Sequence, residues 1–430
     1  MLAITKKMLM EQWDIPSLLV ERAEKSLEAT EKRRQELRAI TGYTMLKVLT
    51  AFRNHQVSDS HFWGSTGYGF HDAGREVLDG IFAEIFGTEK ALVRWQFVSG
   101  THALASILFG ALRPGDRWIS LVGPPYDTLW PLIDGSGRWK GSLAEWGITY
   151  DEVPLARDCS FDREAIRKAL DHPAKLVYLQ RSLGYTWRPS ITLSAMEELI
   201  AFVKSLAPAV IVMVDNCYGE FVEEREPTHI GADIMGGSLI KNAGGGLAPA
   251  GGYIAGKSDL VERASIYLTS PGIGPDEGAT VGLNRLLFQG CFMAPSVVGG
   301  ALEGAVWASH LLESLGFKVL PGPFDGRTDI IQAIGLGTPE ALKTFCRGIQ
   351  ESSPVDHFAL PEAVSMPGYR DPIIMAGGTF IQGSSIELSC DGPLREPYAA
   401  YLQGGLSFHH VTIGVMKALA RLAREGLVTL

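Results

Sequence analysis

Along this chain the apolar positions change period several times. From Ile15 to about Leu37 they recur at helical spacing, with Leu18, Leu19, Ala23, Leu27 and Leu37 set among Glu, Lys and Arg. That pattern predicts a charged amphipathic helix, lying on a surface or exchanged as an arm with a partner subunit. The HFWGSTGYGFHDAGRE segment that follows is rich in glycine and aromatics and predicts a long functional loop. Short apolar or β-branched runs then appear at Trp118 to Val122, Gly147 to Val153, Lys175 to Leu179, Val210 to Val214 and Tyr253 to Ala255. Helical periodicity at 101 to 112, 162 to 170 and 194 to 205 separates them. Continuously apolar strands alternating with helices predict an α/β domain, a mostly parallel mixed sheet flanked by helices on both faces. A helical stretch from Glu277 through Leu315 leads into strand-like Ile330 to Gly335 and Ser385 to Leu388, around helices at 339 to 350 and 412 to 425. The expected division is an N-terminal helical arm over 1–60, a large domain over 61–295 and a smaller α+β domain over 296–430.

Composition narrows the function classes. With 46% hydrophobic and 20% charged residues over 430 positions, the chain has ample core for two packed domains. Its net charge of −9, without a basic run interleaved with aromatics, argues against a nucleic-acid partner. The five cysteines (Cys159, Cys217, Cys291, Cys346, Cys390) are scattered and form no C-x-x-C pair, which suits a reducing, cytoplasmic setting and no structural metal site. The N-terminal MLAITKKMLMEQWDIPS has too short an apolar run for a signal peptide or a spanning helix, so no membrane association is expected. His102, His409 and His410 have no carboxylate or thiol at ligand spacing and read as core or surface side chains. The 49 glycines cluster at 64 to 74, 236 to 252 and 299 to 304, which marks loops where backbone must approach something closely.

Ligands of open parallel sheets bind at the carboxyl ends of strands, so the residues ending each run carry most of the chemical information. Val210 to Asp215 closes a buried strand on a carboxylate, either a cap for the next turn or the partner of a cation. Downstream, Gly231-Ala-Asp-Ile-Met-Gly-Gly-Ser238-Leu-Ile-Lys241-Asn-Ala-Gly-Gly-Gly ends an apolar stretch on a lysine. Such a lysine either snorkels to solvent or, held dry among small residues, has a depressed pKa and serves as a Schiff-base amine. Upstream, Ser99-Gly100-Thr101-His102-Ala103 opens an apolar helix whose free N–H groups suit an anion, or simply an ordinary N-cap. Phosphate cradle, strand-end Asp and glycine-flanked Lys, in that order, are what pyridoxal 5'-phosphate requires: a grip on the phosphate, a partner for the pyridine nitrogen and a covalent amine.

With these motifs the sequence resembles the fold-type I pyridoxal-phosphate enzymes of the cystathionine/methionine gamma-lyase group, most closely the methionine gamma-lyase family and aluminium resistance protein branch. The resemblance covers roughly residues 60 to 300 by motif. It implies that Ser99, Gly100 and Thr101 of an S-G-x-x-A turn bind the phosphate together with Ser238, and that Tyr126, in Tyr126-Asp127-Thr128, stacks on the cofactor. It implies that Asp215 of Val214-Asp215-Asn216-Cys217-Tyr218 meets the pyridine nitrogen, that Cys217 lies against the other face, and that Lys241 binds the cofactor covalently. Tyr68 and Arg75 fall where the group reaches a neighbouring subunit's phosphate, which implies a homodimer or homotetramer with shared sites. Arg395, rather than Arg370, fits the arginine that holds the substrate carboxylate. The implied reaction is α,β- or α,γ-elimination on a sulfur-containing amino acid of cystathionine, methionine or cysteine type, with Lys241 moving the α-proton and Tyr126 assisting the thiol. The chain departs from the group at Gln180-Arg181-Ser182, which offers no evident asparagine beside the cofactor hydroxyl, and in the longer Gly244 to Pro249 insertion.

Two rivals remain. An aminotransferase, an aldolase-like enzyme or a regulatory binder would share the same cofactor site. Gly251-Gly-Tyr-Ile-Ala-Gly256-Lys257-Ser258 matches the phosphate loop of nucleoside triphosphatases letter for letter, although Tyr253-Ile-Ala reads as strand.

Overall fold

The computed structural model describes residues 3–366 and 369–430, so the first two residues of the N-terminal segment lie outside the described residues. The chain forms two compact units, one of residues 43–184 and 190–294, the other of residues 1–42, 185–189 and 295–430.

The larger unit is built on seven strands: β1 (Lys90–Arg94), β2 (Arg117–Ser120), β3 (Thr149–Glu152), β4 (Leu176–Gln180), β5 (Ile211–Asp215), β6 (Ile234–Ser238) and β7 (Gly252–Gly256). Their order is β1-β7-β6-β5-β4-β2-β3. β7 runs antiparallel to both β1 and β6, and every other pairing is parallel. β4, β6 and β7 are buried along their whole length, which is why β4 and β7 read as apolar runs and not as alternations. The helix Gly100–Ala111 sets Leu104, Ile107 and Leu108 into one core with Trp118, Tyr178, Met213 and Ile254. The expected strands at 118, 149, 176, 211 and 253 are present within a residue or two, whereas β1 and β6 were not predicted as strands. β6 reads Ile-Met-Gly-Gly-Ser, and its two glycines hide the strand signal.

The smaller unit holds an antiparallel sheet of β8 (Lys318–Leu320), β9 (Gln332–Gly335), β10 (Ile373–Ala376), β11 (Ser389–Pro393) and β12 (Ala399–Gln403), in the order β10-β11-β12-β9-β8. The run at 385–388, expected as a strand, is a bend leading into β11, which begins at Ser389. Helices Pro339–Glu351 and Phe408–Arg424 bury Leu342, Phe345, Val415 and Leu419 in the same core as Ile334, Ile374 and Leu402.

The N-terminal segment is not an arm of its own. The expected helix is two helices, Ser17–Ala29 and Glu31–Asn54, and the first buries Leu19, Val20 and Ala23 in the smaller unit's core beside Trp307 and Leu311. Trp307 Nε1 donates to Ala23 O at 3.0 Å. Leu19, Val20, Ala23 and Leu37 of the apolar stripe are buried within the chain, whereas Leu18 is exposed. The helix Asn284–Ser314 passes from one unit to the other at Pro295. By length and composition it resembles a membrane span, but 61% of its most apolar window is buried inside the protein, as in a core helix.

Candidate active site

Asp215 ends β5, between β4 and β6, level with Gln180 on one side and Gly236 on the other. It is 4% exposed, and both its oxygens are engaged. Oδ1 accepts from the Cys217 N–H at 3.0 Å, and Oδ2 accepts from the Tyr178 hydroxyl at 3.2 Å. Burial pushes the carboxyl up, while the Cys217 N–H, the Lys241 amine and Tyr178 pull it back toward the ionised form. The sequence reading assigned Tyr178 no role; its position two residues before Gln180 on a neighbouring strand brings it there.

The anion cradle lies at the start of helix Gly100–Ala111. Ser99 has extended backbone, and its Oγ accepts from the His102 N–H at 3.2 Å. It is therefore an N-cap, yet a hydroxyl that accepts still has its proton to donate. A Cβ at Gly100 would stand 3.1 Å from Ser238 Cβ and 3.4 Å from Cys217 Sγ, so glycine is needed where three strand-end segments converge. Thr101 Oγ1 lies 2.6 Å from Thr128 Oγ1 and ties the Tyr126 segment to the same helix start.

Lys241 follows Ser238 by three residues, and its half-buried side chain lies against two aromatic rings. Nζ stands 3.6 Å from the Tyr218 ring centroid and 5.9 Å from that of Tyr126. Burial alone would lower the amine's pKa, but Tyr218, Cys217 and Asp215 outweigh it and hold the ammonium above its ordinary range. The depressed pKa expected from a dry, glycine-lined site therefore meets an opposing pull from the Tyr218 and Cys217 side chains and the Asp215 carboxyl.

The turn carrying Tyr218 is strained, with φ of 72° at Tyr218 and 63° at Phe221, conformations that cost about 1–2 kcal/mol each for residues with a Cβ. A buried network holds it. Asn242 Nδ2 donates to Tyr218 O at 2.9 Å and to Glu220 O at 3.0 Å. Phe221 N donates to Glu226 Oε1 at 2.9 Å, and Asn216 Nδ2 to Glu226 Oε2 at 2.9 Å. Arg181, fully buried, donates to Asn216 Oδ1 at 2.8 Å and to Glu226 Oε2 at 3.1 Å. A Cβ on Gly219 would meet the Arg181 side chain at 2.6 Å. Arg181 therefore braces this turn.

The methionine gamma-lyase family model matches residues 18–423. The chain belongs to the methionine gamma-lyase family. It is 48% identical over 383 residues to the uncharacterized protein YnbB of Bacillus subtilis (strain 168), covering 89% of this chain and 91% of YnbB. The solved structure of a carbon-sulfur lyase involved in aluminum resistance from Clostridium novyi NT superposes with a TM-score of 0.93 at 45% identity, covering 98% of this chain and all of that one (100%). A more distant likeness of fold, at a TM-score of 0.60 and 17% identity, covers 89% of this chain and 97% of the pyridoxal-5'-phosphate dependent protein YhfS from Escherichia coli.

As a member of the methionine gamma-lyase family, the protein is a lyase that uses pyridoxal 5'-phosphate. Its residues fit that group: a small-residue cradle at a helix start that a methyl group would fill, a buried carboxylate at a strand end, and a lysine downstream of both in sequence. The phosphate-loop alternative does not survive the fold. Gly252–Gly256 is β7, paired on both sides, and Lys257 Nζ is 2.7 Å from Asp233 Oδ1.

The remaining expected residues have surroundings of their own. Tyr68 is 70% exposed. Arg75, on helix Ala73–Phe86, is buried, and its guanidinium donates to Gly69 O, Gly278 O and Asp276 O at 2.8 to 3.0 Å, bracing its own loop. The glycine insertion after Lys241 lies along helix Asn284–Ser314, where a Cβ at Gly245 would come 2.3 Å from Gly290 O. In the smaller unit, Arg395 lines a cavity of ≈ 230 Å³ with Tyr185, Trp187 and Tyr401. It donates to Asp371 Oδ2 at 2.8 Å and to Tyr185 O at 2.9 Å.

Proposed function

We propose that the protein breaks the carbon–sulfur bond of a sulfur-containing amino acid, of cystathionine, methionine or cysteine type, by α,β- or α,γ-elimination. The observation that carries this reading is the Lys241 amine, set on the Tyr218 ring and 5.9 Å from the centre of the Tyr126 ring, downstream of a strand that ends on the buried Asp215. When bound, pyridoxal phosphate supplies an electron sink for the charge left at the substrate α-carbon. Backbone N–H groups of Gly100 and Thr101, with the Ser99 and Ser238 hydroxyls, would hold its phosphate, Asp215 would keep its ring nitrogen protonated, and Tyr126 and Cys217 would pack against it. Lys241 moves the α-proton at Nζ, and the Tyr126 hydroxyl assists the departing thiol. Arg395 is our candidate for the substrate carboxylate, and Tyr68, with Arg75 fixing its loop, for reaching a partner subunit's site.

The decisive experiment incubates the holoenzyme with cystathionine, cysteine and methionine and assays pyruvate, 2-oxobutyrate and free thiol. Keto acid and thiol without an added acceptor are expected from at least one of them. Keto acid that appears only when an amino acceptor is supplied would make the enzyme an aminotransferase. Borohydride reduction should fix the cofactor on Lys241; label on Lys257 would overturn the site.

A further inference from the structure

The Lys241 amine lies on the face of the Tyr218 ring. Tyr218 is 8% exposed, its ring centroid is 3.6 Å from Nζ, and its backbone is held at a φ of 72° by the Asn242 hydrogen bond to its carbonyl. An aromatic side chain in an ordinary backbone conformation needs no such support. Here Asn242, Asn216, Glu226 and Arg181, all buried, fix the turn in a conformation that only glycine adopts freely. Strain maintained by so many partners at a strand end is a mark of a group whose placement matters.

We propose that Tyr218 is a catalytic residue that carries the free Lys241 ammonium on the face of its ring. This rests on the reading of Lys241 as the cofactor lysine and adds the group that sets its charge. A ring face stabilises a cation electrostatically, most strongly where water is excluded. The tyrosine thus keeps the amine in one place and favours the ammonium formed when it takes the α-proton, the form that later returns a proton to product. The groups facing the amine are Tyr218, Cys217 and Asp215, with Glu220 behind them and the Tyr126 ring farther off at 5.9 Å. Of these, Tyr218 is the one whose ring centroid lies within 4 Å of Nζ among the described residues.

Only the neutral amine captures cofactor, so the pH dependence of cofactor capture by the full-length chain stripped of pyridoxal phosphate reads the charge on Lys241 directly. Loss of the ring in Tyr218→Leu is expected to move the midpoint down by about one pH unit and to speed capture at neutral pH about tenfold. Tyr218→Gly, which removes the ring and suits the backbone, is expected to do the same and guards against a folding defect in the leucine variant. Tyr218→Phe keeps the ring and loses only the hydroxyl's share, so its midpoint should stay closer to wild type than to the glycine variant. An unmoved midpoint in the glycine variant would overturn the proposal, and so would a phenylalanine variant that shifts as far as glycine, since the hydroxyl would then be the active part. Borohydride labelling is run beside it: label on a lysine other than Lys241 overturns the underlying site reading, whereas label on Lys241 with no midpoint shift overturns the role of Tyr218 alone.

Discussion

Two side chains near the strand ends make their charge states testable. Tyr178 donates to the Asp215 oxygen left over by the Cys217 N–H. Tyr178→Phe removes one donor to a carboxylate that burial already pushes up, and a hydrogen bond to a charged group contributes about 1.5–3 kcal/mol. The Asp215 carboxyl should therefore protonate earlier as pH falls, and the acid limb of kcat/KM should move up by about one pH unit. A pH–rate profile with an unchanged acid limb would remove Tyr178 from the site. Glu220, fully buried, accepts from the Tyr253 hydroxyl at 2.8 Å, and its pKa is pushed up to about 8 by burial. A carboxyl raised in the folded state holds a proton that the unfolded chain has released, so its contribution is complete below the ordinary carboxylate range. It is lost as pH rises toward 8. Glu220→Gln carries the neutral form permanently and should lose less stability than wild type between pH 5 and 8 in urea melts. Parallel losses in the two proteins would contradict this.

At the scale of elements, the helix Gly100–Ala111 and strand β6 meet where a methyl group does not fit. Gly100→Ala would place Cβ 3.1 Å from Ser238 Cβ, at the convergence of helix start and strand end. The expected result is a helix that still forms, since alanine favours helix over glycine, and a cofactor affinity lowered about tenfold or more through the displaced N–H groups. Equilibrium dialysis of the cofactor against the thermal midpoint separates the two effects, and an alanine variant with wild-type affinity would show that the cradle lies elsewhere. Asp215, Ser238 and Lys241 were legible in the sequence because each sits at or just beyond a strand end, where a short local pattern determines position. Tyr178 and Arg181 were not. Their roles depend on which strand lies beside which, and the pairing of β4 with β5 is not written in either strand's own pattern.

For the whole molecule, the larger unit leaves Trp63, Tyr68 and Phe70 exposed by 76%, 70% and 54%, and Val98, next to Ser99, by 82%. Aromatic residues grouped on one glycine-rich loop are what a partner surface covers. The active form should be at least a dimer, and Tyr68→Asp together with Phe70→Asp should shift it toward monomer and reduce activity. Sedimentation that finds a fully active monomer of the wild-type chain would refute this.

From its own residues the sequence determined the alternation of buried strands and helices, the order of Ser99, Asp215, Ser238 and Lys241 along the chain, and the lyase family to which that order belongs. These are local quantities: a period of apolar positions, a carboxylate closing a run, a lysine three residues after a serine. Tertiary structure alone decided that residues 17–29 complete the core of the C-terminal unit, that Arg181 braces a strained turn, and that Lys241 lies on Tyr218 with its charge favoured. The reason is the same in each case. Burial and pairing bring together groups far apart in sequence, and the free energy of a charge or an apolar face is set by those neighbours and not by its place along the chain.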